Sequence, residues 1–134
     1  MIKTALLFTL FYFTVAGCNP ARRIIMKNSS ADTAQFIFTT PEDSIGTNPF
    51  VMHNAKELKF VLAPGEKDVS LSFGIGSWSP EYMERFVRYL VSMEIIRAGK
   101  PSNLLSTPAE ISSFLMAHRK GSTKTKIELS VSDK

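Results

Sequence analysis

Few side chains in this sequence can do chemistry. His53 and His118 are the only imidazoles, and Cys18 is the only thiol. A histidine works as a general base or a metal ligand when a neighbouring group orients it. No H-x-x-x-H or C-x-x-C pair is present to begin a metal site. Nucleophile motifs are missing too, with neither a G-x-S-x-G elbow nor an S-x-x-K pair. His118 ends a helical stripe beside Arg119, where a histidine complements the helix dipole. His53 lies in a loop between Met52 and Asn54. The expectation is no catalytic residue, no metal and no cofactor. A concave pocket holding either histidine with Asp or Glu would point the other way, to an enzyme.

Binding chemistry has more candidates. Trp78 and Tyr82 combine an aromatic face with a polar atom. Exposed and coplanar, they would stack on a sugar or a partner; buried, Trp78 is core with its N–H satisfied. The stretch His118–Lys126 carries Arg119, Lys120, Lys124 and Lys126, four cations in its last eight positions. They suit an anionic partner, although Lys124 and Lys126 also fit the solvent face of an edge strand, where lysine discourages pairing. Gly74-Ile75-Gly76 closes a strand just before Ser79-Pro80 opens a helix. Glycines there mark a bulge or a close backbone approach rather than an anion cradle.

The amino-terminal residues read MIKTALLFTLFYFTVAGC. Lys3 is a minimal positive region, and Thr4 to Val15 is an apolar run of twelve broken only by threonines. A membrane span needs about 20 residues, so this run has the length of a signal segment instead. Val15-Ala16-Gly17-Cys18 resembles the lipobox of bacterial lipoproteins, a branched apolar residue, two small residues and a cysteine. The resemblance implies a diacylglyceryl group on the Cys18 sulfur, cleavage before Cys18 by signal peptidase II, and acylation of the new amine. A covalent lipid on Cys18 is then the only non-protein group expected. Asn19 stands where Asp would resemble an inner-membrane retention signal, and Arg22-Arg23 lacks the acidic run of surface-exported lipoproteins. Together these imply an outer-membrane lipoprotein facing the periplasm.

The rest of the chain must position these residues. Removing residues 1–17 leaves 117 of the 134, enough for one domain. The net charge falls from +4 to +3, a balance that implies no nucleic acid. The expected layout is a signal peptide over 1–17, the lipidated Cys and tether over 18–22, and a single domain over 23–134. So short a tether keeps the domain at the lipid surface, with Arg22 and Arg23 at headgroup depth.

Period-two alternation predicts strands over 23–27, 33–40, 58–62 and 68–75, the last two joined as a hairpin by Ala63-Pro64-Gly65-Glu66. Residues 41–49 are a loop by composition. Ser79-Pro80-Glu81 opens a helix that stops near Tyr89, and a β-branched run follows it. Thr107-Pro108-Ala109-Glu110 is a capping box opening a second helix, with Gly121 as its stop. Thr125 to Val131 closes with a strand. The fold class is α+β, an antiparallel sheet or sandwich of about six strands with two short helices. Phe36, Phe38, Phe60, Leu71, Phe73 and Phe114 are the expected core.

The function expected is a non-enzymatic binding or accessory module, held to the membrane by its lipid and contacting an envelope protein or glycan. A small hydrolase or peptidoglycan-modifying enzyme is the alternative, and a structural subunit of an envelope complex a third.

Overall fold

Alternating apolar residues set both faces of each strand, and the computed structural model shows where those faces go. It describes residues 20–41, 57–66 and 69–133. The apolar segment at Thr4–Val15, Cys18, His53 and all but the first residue of the 41–49 loop lie outside them. No helix among the described residues is long and apolar enough to cross a membrane.

Among the described residues, eight strands form two four-stranded sheets. The first sheet holds β1 (Ala21–Asn28), β4 (Val69–Ile75), β7 (Arg119–Lys120) and β8 (Lys126–Val131), in the order β4-β1-β8-β7. The second holds β2 (Ala34–Thr39), β3 (Glu57–Leu62), β5 (Ser92–Arg97) and β6 (Asn103–Leu105), in the order β3-β2-β5-β6. The described residues also form the helices α1 (Pro80–Phe86), extended by a 3₁₀ turn at Val87–Tyr89, and α2 (Pro108–Ala117). The architecture is α+β, a sheet sandwich. The strands beyond the expected six are the short β6 and β7, too brief to show a period.

Ile24, Met26, Ile127 and Leu129 from the first sheet meet Phe36, Phe38, Leu62 and Met93 from the second in one buried cluster. The helices add Met83, Phe86, Ile111 and Leu115 to it. Of the expected core residues, Phe36, Phe38 and Phe73 are buried, whereas Phe60, Leu71 and Phe114 are only partly so. Phe60 and Leu71 lie on β3 and β4, the outermost strands of their sheets, where cover is thinner.

Three expectations need correction. First, 58–62 and 68–75 are not a hairpin, because β3 and β4 belong to different sheets. The turn between them is real, with Glu66 N–H donating to the Ala63 carbonyl at 3.0 Å and its carboxylate accepting from Ala63 N–H at 2.7 Å. The turn carries the chain across the sandwich. Asn28, fully buried, fixes that crossing: its Nδ2 donates to the carbonyls of Asp32 at 2.8 Å, Leu62 at 3.0 Å and Ala63 at 3.2 Å. Its Oδ1 accepts from the Ser30 hydroxyl at 2.6 Å. Such a fully satisfied buried amide stabilises one connection over its alternatives.

Second, the first sheet is not wholly antiparallel. β1 and β8 run parallel from Arg23↔Lys126 to Asn28↔Val131. A parallel pair needs a long crossover, and the whole second sheet with both helices supplies it. β8 is therefore an interior strand, and Lys126 does not protect an edge. Third, Gly121 does not stop α2. The helix ends at Ala117 with His118 as its C-cap, because Arg119 and Lys120 are drawn out to pair with Ile127 and Lys126. Gly121, at φ 82°, serves the turn from β7 to β8.

The helix starts are as the sequence implies. Ser79 Oγ accepts from Tyr82 N–H at 3.2 Å. Thr107 Oγ1 accepts from Glu110 N–H at 3.2 Å, and the Glu110 carboxylate accepts in return from Thr107 N–H at 3.3 Å.

Candidate functional site

The end of the sandwich where the chain enters β1 gathers most of the candidate residues. Gly76 N–H donates to the Pro20 carbonyl at 3.3 Å, so the fold begins only two residues after Cys18. Arg22 then turns across Gly74–Gly76. Its Nε donates to the Ser77 carbonyl at 2.7 Å and its Nη1 to the Phe73 carbonyl at 3.3 Å. The guanidinium carbon sits 3.7 Å from the centroid of the Tyr82 ring, a cation–π contact. Gly74 at φ 74° makes the bulge: β1 steps from Ala21 to Arg23 while β4 steps from Ile75 to Ser72. The bulge also turns Ile75 out of the apolar face, leaving it 66% exposed.

Neither aromatic candidate offers a platform. Trp78 is fully buried, packed edge-on against Phe73, Tyr82 and Phe86. Its indole N–H donates to the Arg23 carbonyl at 3.3 Å. The core reading holds for Trp78, and burial closes it to any sugar or partner. Tyr82 has Arg22 over its ring and donates its hydroxyl to the Phe73 carbonyl at 3.3 Å.

The four cations of the basic run divide. Arg119 is an internal clasp, its Nε donating to the Met116 carbonyl at 3.1 Å and its Nη1 to the Trp78 carbonyl at 3.2 Å. Lys120, Lys124 and Lys126 are exposed. Backbone bonds bring their segment to the chain entry: Arg23 N–H donates to the Thr125 carbonyl at 2.9 Å, and Trp78 N–H to the Lys124 carbonyl at 2.8 Å. Local sequence gave no sign of this meeting, since Arg23 and Lys126 are joined only by the parallel pairing.

His118 lies elsewhere, in an open groove of about 500 Å³ lined by Ile95, Arg97, Lys100, Phe114, His118 and Asp133 among others. The groove does put an imidazole and a carboxylate on one surface. Their bonds point apart, however. His118 Nδ1 is 2.6 Å from the Phe114 carbonyl, so it carries the proton, and the ring tilts against Phe114 at 4.2 Å. Asp133 pairs with Arg97 at 3.6 Å and accepts from Ala31 N–H at 3.1 Å. Arg97 also donates to the Ser132 carbonyl, which leaves its Nε buried without a hydrogen-bond partner. Neither histidine motif nor spacing signalled this groove; its Arg97, Lys100 and Asp133 come from strand ends that only the fold aligns. Among the described residues, no three of His, Cys, Asp and Glu cluster as a metal site would require.

No family model matches the chain, and no curated protein matches it. Among solved structures, the chain is similar to Lip of Serratia marcescens, a membrane-bound component of the Type VI secretion system. That likeness has a TM-score of 0.30 and 10% identity, over 82% of this chain and 89% of the other.

Proposed function

We propose that this protein is a lipid-anchored module of a bacterial cell envelope, tethered through Cys18 to the outer membrane and facing the periplasm. It binds an envelope protein or glycan and catalyses nothing itself. The lipobox-like Val15-Ala16-Gly17-Cys18 carries the anchoring, and the short distance from cysteine to fold sets its geometry. Pro20 is already bonded to Gly76 and β1 begins at Ala21. Two or three residues reach at most about 10 Å, so a lipid on Cys18 would hold the sandwich against the bilayer rather than on a stalk. One acyl chain binds a membrane marginally and two or three bind it stably.

Cys18→Ser removes the only acceptor of the diacylglyceryl group. Metabolic labelling with a clickable fatty acid is expected to mark the parent and leave the variant unlabelled and uncut. Equal label on both would end the lipoprotein reading.

One observation favours the enzyme alternative, the shared groove of His118 and Asp133. A catalytic histidine needs a partner acid or nucleophile within reach of its free nitrogen, and here Asp133 is engaged by Arg97 and Ala31 instead. His118→Ala is therefore expected to keep the in-cell function in a complementation assay. Loss of function with folding and lipidation intact would transfer the reading to the enzyme.

A further inference from the structure

Across the outer face of the first sheet, Lys120, Lys126 and Arg23 occupy one register row. Lys120 pairs with Lys126, and Lys126 with Arg23, on three adjacent strands. Each is opposite a core-facing neighbour, since Ile24 and Ile127 point inward. Neighbouring strands lie about 4.8 Å apart, and like charges set directly across strands destabilise a sheet. No carboxylate relieves the row among the described residues. Glu128, the nearest acid along β8, is engaged by Lys27 at 3.3 Å. Lys124, exposed in the adjoining turn at φ 53°, adds a fourth charge. The row also lies where the chain leaves for Cys18, beside Pro20 and Gly76.

We infer that this row of cations, with Lys124, seats the outer face of the first sheet on the anionic phospholipid headgroups of the membrane that holds the anchor. The inference rests on the lipid-anchored reading above. A lipid at one point leaves a domain free to swing, whereas headgroup phosphates under three strands fix which face lies down. A basic patch beside a lipid chain is a recognised second signal for membrane attachment, and each cation near an anionic surface strengthens partition about fivefold.

The test uses a chain beginning at Asn19, which keeps every residue of the described core. It is sedimented with vesicles of phosphatidylcholine alone, or with phosphatidylglycerol added. Binding is expected only with phosphatidylglycerol and is expected to fade as salt rises. The double variant Lys120→Gln, Lys126→Gln should lose about 25-fold in partition, at fivefold per charge. Lys59→Gln with Lys100→Gln makes the same change in net charge on exposed residues away from the row and should stay close to the parent. Equal losses in both variants, equal binding to both vesicle types, or no binding at all would overturn the inference. Mass spectrometry of Cys18 in the membrane fraction is the separate arm. An acylated chain that fails with vesicles loses the headgroup contact and keeps the anchor; an unacylated chain that passes does the reverse.

Discussion

Gly76 shows how one missing side chain organises the entry of the chain. Its φ is 130°, and a Cβ there would stand 2.6 Å from Arg22 Nη2. The guanidinium cannot simply move off, because the Ser77 and Phe73 carbonyls and the Tyr82 ring hold it. Gly76→Ala is expected to lower stability by about 1–3 kcal/mol, through backbone strain and the displaced arginine. Gly99→Ala is the control, with φ 74° but open space around its Cβ, and should lose only about 1 kcal/mol. Urea melts of the two variants make the comparison; matching losses would show that Arg22 imposes no constraint. The close backbone approach was legible in the Gly-Ile-Gly spacing. The arginine that approaches was not, because it lies 55 positions from Ser77 in sequence. The same distance effect hid the fate of Tyr82, whose ring is covered by a residue from the far end of the sequence.

Strands and helices were legible to the degree that their signals are local. The caps at Ser79 and Thr107 depend on residues three positions away, and both formed as read. Alternation gave the buried faces of β2 and β8 for the same reason. It could not say which sheet receives the next strand, since β3 and β4 bury their apolar faces equally well as a hairpin or across a sandwich. The deciding group is Asn28, a buried amide that periodicity treats as a turn residue. Cover from α1 then grades the core. Phe73 is 7% exposed and packs edge-on against Trp78 and Phe86, whereas Phe60 is partly buried and meets Phe38 at 6.3 Å. Phe73→Ala is expected to cost about 3–5 kcal/mol and Phe60→Ala about half as much. Chemical denaturation of each variant reads the difference, and a reversed order would mean that β3, not β4, closes the sandwich.

At the scale of the whole molecule, the sandwich has its chemistry divided between ends. The cation row and the chain entry share one end of β8, while Asp133 and the Arg97 side of the groove lie beyond the other. Asp133 lies seven positions beyond Lys126, about 20 Å at strand rise. Sequence reading reached the class of this architecture and missed its division, because the parallel pairing of β1 with β8 sets both. That pairing also governs how the molecule forms. Arg23 and Lys126 are 103 positions apart, and folds dominated by such distant contacts form in about milliseconds to seconds. Removing residues 126–134 takes away Ile127, Leu129 and Val131 and uncovers one side of β1. The shortened chain should lose its cooperative thermal transition, whatever its helix content; a sharp melt would show that the second sheet and helices stand alone. In the lipoprotein proposed above, exported amino end first, β1 would emerge long before its neighbour β8. Until β8 followed, β1 would present an unpaired edge, open to pairing with other chains. The proposed lipoprotein would therefore be exposed to mispairing between the arrival of its first strand and its last.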